Sequence, residues 1–506
     1  MASRTINTKR NIVASYLLMA IQMIFSFVSK SVIVYTLGTD YLGLSSLFTA
    51  VLTVLNVAEL GFTTSVVFFM YKPLAENNTA RVCALLAYLK KVYKAVGLII
   101  LLLGFVTAFF LPYLINGNVP AGINIYILYI LYLFNTSLSY FLSAHKTALL
   151  TAVQRLDLTK IVNCIVIVIQ YLLQLIALIV FKNYYLFVIS MIVGTGVTNL
   201  FVAYINKRKF PQYECKGNVS DEDKKEIISK VKGLLICNIS IVTYTTLDSI
   251  VLSSFVGLVS VAIYNNYMTV YKAANQLIVL VRTAMQSSIG NSIASESISK
   301  NLYDIYLWQF LFSVIATWCA SGMLCLYQPF MKLWMGNELL LPIGDVILIV
   351  VWFFIDIVQQ AQNLYIAGAG LWNDLRYSYI FNTCSNLVLN ILLGKFIGIT
   401  GIIIASLITC IISGTFWQCI IIFKNYFKTS AREYIKTQFK YLTITIIVLT
   451  ITFIICGSID LYGITGFIIK LILCMSITTI LLYLFYRRNK WYIVSKRMII
   501  NILKKK

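Results

Sequence analysis

The stretch AVGLIILLLGFVTAFFLPYL, residues 95–114, runs for the length of a membrane-spanning helix without a single charged side chain. A helix of about 20 residues crosses the hydrocarbon core of a bilayer, which is about 30 Å thick. Hydrophobic residues make up 60% of the 506-residue chain and charged residues only 12%, whereas soluble domains average about 45–50% apolar residues. The composition excludes a water-soluble fold and predicts an all-α integral membrane protein.

Apolar runs of similar length recur on both sides of residues 95–114, bounded by Gly, Pro, Asn or charged residues. We predict about fourteen transmembrane helices, near Asn11–Tyr35, Leu42–Met70, Ala95–Leu114, Ile123–Ser143, Ile161–Phe181, Leu186–Ile205, Gly233–Phe255, Val261–Thr283, Ile305–Tyr327, Ile343–Tyr365, Tyr377–Phe396, Gly401–Phe423, Tyr441–Cys456 and Gly463–Phe485. The first run lacks a small-residue cleavage site, so we expect an uncleaved span and not a signal peptide.

The net charge of +23 comes from 41 Lys and Arg against 18 Asp and Glu. In a soluble protein this excess would indicate a nucleic-acid partner, but in a membrane protein basic residues collect in cytoplasmic loops. With the N-terminus inside, only Lys182, Lys332 and Lys395 fall in the predicted outer loops. We therefore predict that both termini are cytoplasmic and that the chain binds no nucleic acid.

A weak internal repeat divides the predicted spans into two pseudo-symmetric lobes. Leu37-Gly38 and Pro112-Tyr113 recur as Val256-Gly257 and Pro329-Phe330, about 217–219 residues later, as expected for a parallel transporter repeat. We predict an N-terminal lobe at 1–210, a cytoplasmic linker at 211–232, a C-terminal lobe at 233–428, two extra spans at 429–486 and a basic amphipathic tail at 487–506. Each lobe has six helices, and a central cavity is expected.

The basic tail has the pattern of an interfacial helix. Its apolar side chains recur at helical spacing opposite a basic face, at Trp491, Val494, Met498 and Ile502. Such a helix lies on the anionic lipids of the inner leaflet. A frayed basic tail is the alternative interpretation.

Polar side chains within the predicted spans indicate where a substrate binds, because a charge near the bilayer centre costs about 2.5–3.5 kcal/mol. One face of the eighth span carries Asn265, Thr269, Lys272, Gln276 and Thr283. We predict that this stripe lines the central cavity and that Lys272 binds an anionic substrate. Alternatively, Lys272 pairs with a neighbouring carboxylate and only holds the helices together.

Polar faces recur in other corresponding spans. The further candidates for substrate binding are Lys30, Arg282, Gln22, Gln359 and Asn363. Lys30 and Arg282 lie near span ends, where snorkelling to the interface is an alternative. The carboxylates of Asp356, Asp248 and Glu59 either balance the lysines or carry coupling protons or sodium ions, and the sequence leaves this choice open.

The sequence indicates a transporter and not an enzyme. The 11 cysteines form no CxxC pair and no Cys/His spacing typical of a metal site, so we predict no metal, disulfide or other cofactor. The predicted outer loops are too short to hold a catalytic domain. We therefore propose no catalytic residues.

Several short motifs carry a family resemblance: Arg10-Asn11, Tyr35 to Gly38, Tyr41 to Gly43, Glu59 to Gly61, Asp248 with Gly257 and Tyr264, and Tyr365 to Arg376. Together they resemble the Wzx-type repeat-unit flippases of the multidrug/oligosaccharidyl-lipid/polysaccharide (MOP) exporter superfamily. The resemblance covers most of the chain in a twelve-plus-two arrangement of spans.

This resemblance implies transport of undecaprenyl-diphosphate-linked oligosaccharides across the bacterial cytoplasmic (inner) membrane by alternating access, for an O-antigen, capsule or exopolysaccharide. Lys272, Lys30 and Arg282 would hold phosphate or sugar acid groups, and other polysaccharide assembly proteins would be partners. The resemblance implies no covalent chemistry.

Other functions remain open at this point. A lipid II flippase has the same number of spans and a cationic cavity. A multidrug antiporter shares the two lobes but is expected to have an acidic cavity, against which Lys30 and Lys272 argue. A membrane glycosyltransferase or polymerase should present carboxylates or arginines in a large outer loop, whereas residues 328–342 offer only Lys332 and Glu338.

Overall fold

The computed structural model describes residues 2–59, 61–117, 119–120, 122–458 and 463–504, and over these ranges its regular structure is helical. In this part of the chain nine helical stretches are long and apolar enough to cross a membrane. Two further helices, Ile125–Phe141 and Ala144–Ala152, are bent by 49° and make a tenth stretch if they count as one span. The predicted all-α, multi-pass membrane fold is confirmed, and the number fourteen stays a prediction.

The chain divides into two compact units, Met1–Ala262 and Ile263–Lys506. The first unit contains α1 (Ala2–Thr36), α2 (Thr39–Leu55), α3 (Phe62–Ala75), α4 (Thr79–Leu114), α5 (Ile125–Phe141), α6 (Ala144–Ala152), α7 (Leu156–Ile179), α8 (Tyr184–Lys209) and α9 (Asp221–Phe255). Helix α10 (Leu258–Ser295) continues into the second unit, which contains α11 (Ile298–Met335), α12 (Ile343–Val358), α13 (Gln360–Ala369), α14 (Trp372–Thr409), α15 (Cys419–Ile422), α16 (Arg432–Gly457), α17 (Gly463–Tyr486) and α18 (Lys490–Lys504).

Two predicted spans are interrupted helices. The span at Leu42–Met70 consists of α2 and α3, which are separated by a 3₁₀ turn at Asn56–Glu59 and by Gly61 at φ +122°. Glycine adopts this backbone conformation without the strain that a Cβ would cause. The span at Ile343–Tyr365 is likewise divided at Gln359 between α12 and α13. Both interruptions lie beside candidate site residues.

The helical stretch Trp372–Phe427 contains two of the predicted spans. Its 56 residues would measure about 84 Å at 1.5 Å per residue, which is far more than one bilayer crossing. The backbone leaves helical geometry at Ile397 and at Gly398, where φ is +58°. This kink falls at the outer turn predicted between the eleventh and twelfth spans. Beyond α14 the helix is wound as a π-helix at Cys410–Gln418 and again at Phe423–Phe427.

Helices α4 and α5 pack closely because Gly104 has no side chain. A Cβ atom at this position would lie 2.3 Å from Leu133 Cδ1 and 2.6 Å from Cδ2. Small residues allow membrane helices to approach in this way, and van der Waals packing then stabilises the contact. Gly104 therefore helps to place α5, which carries Tyr140, beside α4.

The two C-terminal helices α16 and α17 pack against α11 through hydroxyl pairs. Thr317 on α11 lies 2.7 Å from the hydroxyl of Thr445 on α16, and Ser321 lies 2.6 Å from that of Thr478 on α17. All four side chains are buried. Such pairs satisfy polar groups inside a helical bundle where water is absent.

Three buried cysteines of these same helices also meet. The thiols of Cys325, Cys456 and Cys474 lie within 4.8 Å of one another. The sequence predicts neither a metal nor a disulfide because the cysteines form no CxxC pair and no Cys/His spacing typical of a metal site. Their proximity arises from the packing of α11, α16 and α17.

The tail forms the predicted helix, α18. Its Trp491 ring stacks on Tyr306 of α11, with centroids 6.2 Å apart and planes 4° apart, and contacts Tyr303 edge-on. The N-terminal end of α18 is therefore attached to α11. Contact of α18 with anionic lipid stays a prediction.

Candidate substrate and ion sites

The carboxylate of Glu59 lies among hydroxyl groups from three helices. Its Oε1 accepts hydrogen bonds from Thr63 Oγ1 of α3 at 2.8 Å and from the Tyr93 hydroxyl of α4 at 3.0 Å. Its Oε2 accepts a hydrogen bond from the Tyr140 hydroxyl of α5 at 3.1 Å. Thr63 and Tyr93 are also hydrogen-bonded to each other.

The interruption between α2 and α3 creates this arrangement. Glu59 ends the 3₁₀ turn, and its side chain therefore points toward α4 and α5. In an unbroken helix the same residue would face in another direction. A half-buried carboxylate surrounded by hydroxyl oxygens can hold a proton or contribute ligands to a small cation. The predicted role of Glu59 in ion coupling is chemically compatible with this geometry.

A second carboxylate site lies in the other unit, at Asp356 of α12. Asp356 Oδ2 accepts hydrogen bonds from the Tyr271 hydroxyl, at 2.9 Å, and from Asn275 Nδ2. Tyr271 and Asn275 share one face of α10 because they are four residues apart. Arg282, seven residues further along the same helix, interacts electrostatically with Asp356. The structure thus brings together two predicted residues, Asp356 and Arg282.

The polar stripe of α10 lies on a different face of the helix, which adjoins the face of Tyr271 and Asn275 and is more exposed than it. Lys272 and Gln276 are exposed and Asn265 is half-buried within the unit, whereas Tyr271 is buried. Successive residues of a helix differ by about 100°, so Lys272 is turned away from the face that binds Asp356. The predicted stripe is therefore present as a surface of α10.

Gln359 is held where α12 ends. Its Nε2 donates hydrogen bonds to the Cys410 carbonyl at 3.1 Å and to Thr415 Oγ1 at 3.2 Å. Both acceptors lie in the π-helix Cys410–Gln418. Gly414 makes this approach possible, because a Cβ there would lie 2.2 Å from Gln359 Oε1. Asn363 is half-buried on α13, and its Nδ2 lies 3.4 Å from Gln360 Oε1.

The remaining predicted residues lie on two helices of the first unit, α1 and α9. Gln22 is exposed and Lys30 is half-buried on α1, while Asp248 is buried on α9. Glu59 and Asp356 belong to different units. The structure therefore presents two carboxylate sites, each with its own set of partners.

The sequence interpretation missed the phenol and amide groups that surround these carboxylates. Tyr93 falls before the predicted third span because Lys90 and Lys94 place this segment in a loop, whereas α4 already begins at Thr79. For Tyr140 and Tyr271 the sequence pattern predicts only a place within an apolar span. Only the spacing of Tyr271 and Asn275, one helical turn apart, offers a signal for a paired polar face.

Comparison with known proteins adds a family and a fold. Residues 8–286 match the family model described as polysaccharide biosynthesis protein. No curated protein sequence matches the chain.

Solved transporter structures are similar to most of the chain. The lipid II flippase MurJ, in an inward closed conformation, superposes with a TM-score of 0.65 at 16% identity, covering 94% of this chain and 98% of its own. An inward-facing multidrug resistance MATE family transporter of the MOP superfamily gives 0.63 at 15% identity, covering 85% and 99%. A MATE transporter of Vibrio cholerae gives 0.55 at 14% identity, covering 85% and 100%. The resemblance to the MOP superfamily is thereby confirmed at the level of fold.

Proposed function

Because this chain belongs to the polysaccharide biosynthesis protein family, we propose that it is a flippase for lipid-linked oligosaccharides. Its substrates are undecaprenyl-diphosphate-linked repeat units, which it moves from the inner to the outer leaflet of the bacterial cytoplasmic membrane by alternating access. Both termini are cytoplasmic, and the product enters an O-antigen, capsule or exopolysaccharide. Other polysaccharide assembly proteins are its partners.

The exposed position of Lys272 is the observation that carries this proposal. Lys272 lies about 21 Å along α10 from Leu258, at 1.5 Å per residue, and is exposed within its unit. An ammonium group in hydrocarbon costs about 2.5–3.5 kcal/mol, so an exposed lysine at this depth is stabilised where water or an anionic substrate can reach it. A diphosphate attached to a prenyl tail supplies an anion at membrane depth.

The other candidate residues supplement Lys272. Lys30 and Arg282 add positive charge for the diphosphate or for acidic sugars. The amide side chains donate and accept hydrogen bonds and therefore suit sugar hydroxyls. These are Gln22, Asn265, Gln276, Gln359 and Asn363.

The two carboxylate sites supply the coupling. Glu59 and Asp356 each accept hydroxyl hydrogen bonds, so each can alternate between a charged and a protonated or cation-bound form. Asp248, buried on α9, balances positive charge in the first unit. In this mechanism the coupling ion is a proton or sodium, and no other cofactor takes part.

A lipid II flippase is the second candidate, because MurJ shares its fold over 94% of this chain. The two candidates differ in the headgroup, since lipid II carries a peptide on its sugar. Competition distinguishes them: an excess of a prenyl-diphosphate oligosaccharide without peptide should inhibit transport of the labelled repeat unit more strongly than lipid II does.

Flipping by the purified protein in vesicles tests the proposal. We expect Lys272→Ala and Asp356→Ala each to lower the initial rate of fluorescent prenyl-diphosphate oligosaccharide transport at least tenfold, which corresponds to about 1.4 kcal/mol. Lys395→Ala and Asp374→Ala are matched controls, because both residues are exposed away from the predicted stripes. If both site variants transport at the rate of their controls, the site assignment is wrong.

A further inference from the structure

The first unit contains a polar cavity that the proposed transport mechanism does not use. It has a volume of about 500 Å³ and lies between α4, α6, the end of α8 and the segment that follows α8. We call it the basic cavity, after its lining residues Lys90, Lys146, Lys207 and Lys216. All four belong to segments that the charge distribution predicts to be cytoplasmic.

The charge of the basic cavity favours an anion. Its lining includes four lysines and one carboxylate, that of Glu214. Glu214 forms an ion pair with Lys216 on the outer rim, where both side chains are largely exposed. Glu214 also interacts with Lys207, so four lysines of the lining face a single carboxylate. The lining keeps a net positive charge that an anion would balance.

Two buried side chains point to a ligand with hydrogen-bonding groups. His145 is 2% exposed and Asn206 is 5% exposed, and both line the basic cavity. In the described part of the chain, His145 Nδ1 and Asn206 Oδ1 are buried without a hydrogen-bond partner, although Asn206 Nδ2 donates to the Val202 carbonyl at 2.8 Å. Buried polar atoms are rarely left in this state, because each one costs free energy until it is paired.

The two atoms favour different parts of one ligand. A ring nitrogen of histidine can donate a hydrogen bond to a phosphate oxygen, whereas an amide oxygen can only accept one. Asn206 Oδ1 therefore calls for a hydrogen-bond donor, and in a lining with four lysines an uncharged hydroxyl group suits it better than an ammonium group. The lysines call for the phosphate. A phosphorylated polyol combines both groups within a few bonds.

We propose that the basic cavity binds the phosphate of a phosphorylated polyol, with the lysines and His145 on the phosphate and Asn206 on a neighbouring hydroxyl. Two sources present this chemistry on the cytoplasmic side: the headgroup of phosphatidylglycerol and a free glycerol or sugar phosphate. The site lies in the first unit and contains none of the residues assigned to transport.

The basic cavity adjoins the Glu59 site along two helices. Lys90 precedes Tyr93 by three residues on α4, and His145 follows Tyr140 across the bend between α5 and α6. Tyr93 and Tyr140 donate the phenol hydrogen bonds to Glu59. A ligand that joins Lys90 to His145 therefore links α4, which supplies Tyr93, to α6, which follows the helix of Tyr140 across the bend.

The chain contains one histidine, so histidine labelled with ¹⁵N in its ring reports on this cavity alone. In phosphatidylcholine nanodiscs, we expect titration with sn-glycerol 3-phosphate to shift the ring nitrogen signals saturably if the source is free. If the source is lipid, phosphatidylglycerol in the nanodisc produces the shift and the soluble compound then adds nothing. If neither sn-glycerol 3-phosphate nor phosphatidylglycerol shifts the ring nitrogen signals, or if sulfate at the same ionic strength shifts them equally, the proposal is wrong.

Charge variants test the contribution of the lysines. We expect Lys90→Gln combined with Lys146→Gln to weaken the binding at least about tenfold. Lys72→Gln combined with Lys225→Gln removes the same charge from exposed positions outside the cavity and should leave binding within about twofold of the unmodified chain. Equal weakening by both pairs would show a general charge effect and contradict the site.

Asn206→Leu tests the hydroxyl contact. It should weaken the binding of sn-glycerol 3-phosphate more than that of methyl phosphate, since of these two monoesters only the polyol offers an alcohol to the amide oxygen. Equal weakening of both ligands would contradict the assigned role. These binding measurements do not depend on transport, so they can fail while the flipping assay succeeds, and the reverse.

Discussion

The hydroxyl of Tyr140 should stabilise the first unit through the charge of Glu59. Tyr140→Phe removes the 3.1 Å hydrogen bond to Glu59 Oε2 and leaves the ring in place. A hydrogen bond to a charged group contributes about 1.5–3 kcal/mol, and a neutral one about 0.5–1.5 kcal/mol. We therefore expect Tyr140→Phe to lower the free energy of unfolding by about 1.5–3 kcal/mol when Glu59 is ionised.

The effect of Tyr93→Phe should be smaller. Tyr93 shares Glu59 Oε1 with Thr63, which donates at 2.8 Å and remains after the substitution. Oε1 thus keeps a donor in Tyr93→Phe, whereas Oε2 loses the donor that Tyr140 provides. We expect a loss of about half that caused by Tyr140→Phe, since hydrogen bonds that share an acceptor are not additive.

A double-mutant cycle with Glu59→Gln measures the charge-dependent part of this interaction. Unfolding is followed in mixed micelles by circular dichroism as the fraction of dodecyl sulfate rises, and Tyr126→Phe serves as the control because that side chain is exposed. In the Glu59→Gln background, Tyr140→Phe should cost about 1–1.5 kcal/mol less than in the unmodified chain. An identical cost in both backgrounds would refute the reasoning, because the phenol would then not act on the carboxylate.

Two further substitutions test the helix packing. Gly104→Ala should destabilise by about 1–3 kcal/mol, since the new Cβ would lie 2.3 Å from Leu133 Cδ1. Measured in a Leu133→Ala background, the same change should cost less, and Gly290→Ala, with open space around it, should not destabilise in the same unfolding assay. Thr445→Val removes a buried hydroxyl pair between α11 and α16 and should cost about 0.6 kcal/mol. Thr443→Val is its control, because that hydroxyl is exposed and bonds its own helix; equal costs for the two valine variants would contradict the interhelical contact.

The helices could be predicted from the sequence because long apolar runs have few alternatives in a membrane. Ala95–Leu114 and Gly463–Phe485 lie within α4 and α17 as expected. The interruptions were not predictable in the same way. The 3₁₀ turn at Asn56–Glu59 depends on a single glycine conformation and on tertiary contacts, which a running average of hydropathy does not register.

The charged residues of the candidate sites could be predicted from the sequence, but the side chains that form hydrogen bonds with them could not. Lys272 and Asp356 stand out because ionisable groups are rare in spans. Tyr271 and Tyr140 do not, since a tyrosine is usually an apolar side chain with a polar tip. Which phenol reaches which carboxylate is decided by the angles between helices, and these follow from contacts far apart in sequence, such as that of Gly104 with Leu133.

The π-helical winding after α14 serves the contact with Gln359. A π-turn accommodates one residue more than an α-turn, and the wider ring at Cys410–Gln418 is the place where the Gln359 amide docks. Deleting one residue there would let the segment wind as an ordinary α-helix, with the helix on either side kept in nearly its present orientation and the wider ring beside Gln359 closed. In an alignment of homologous chains, a one-residue gap at this point would therefore indicate a regular helix without the wider ring at which the Gln359 amide docks.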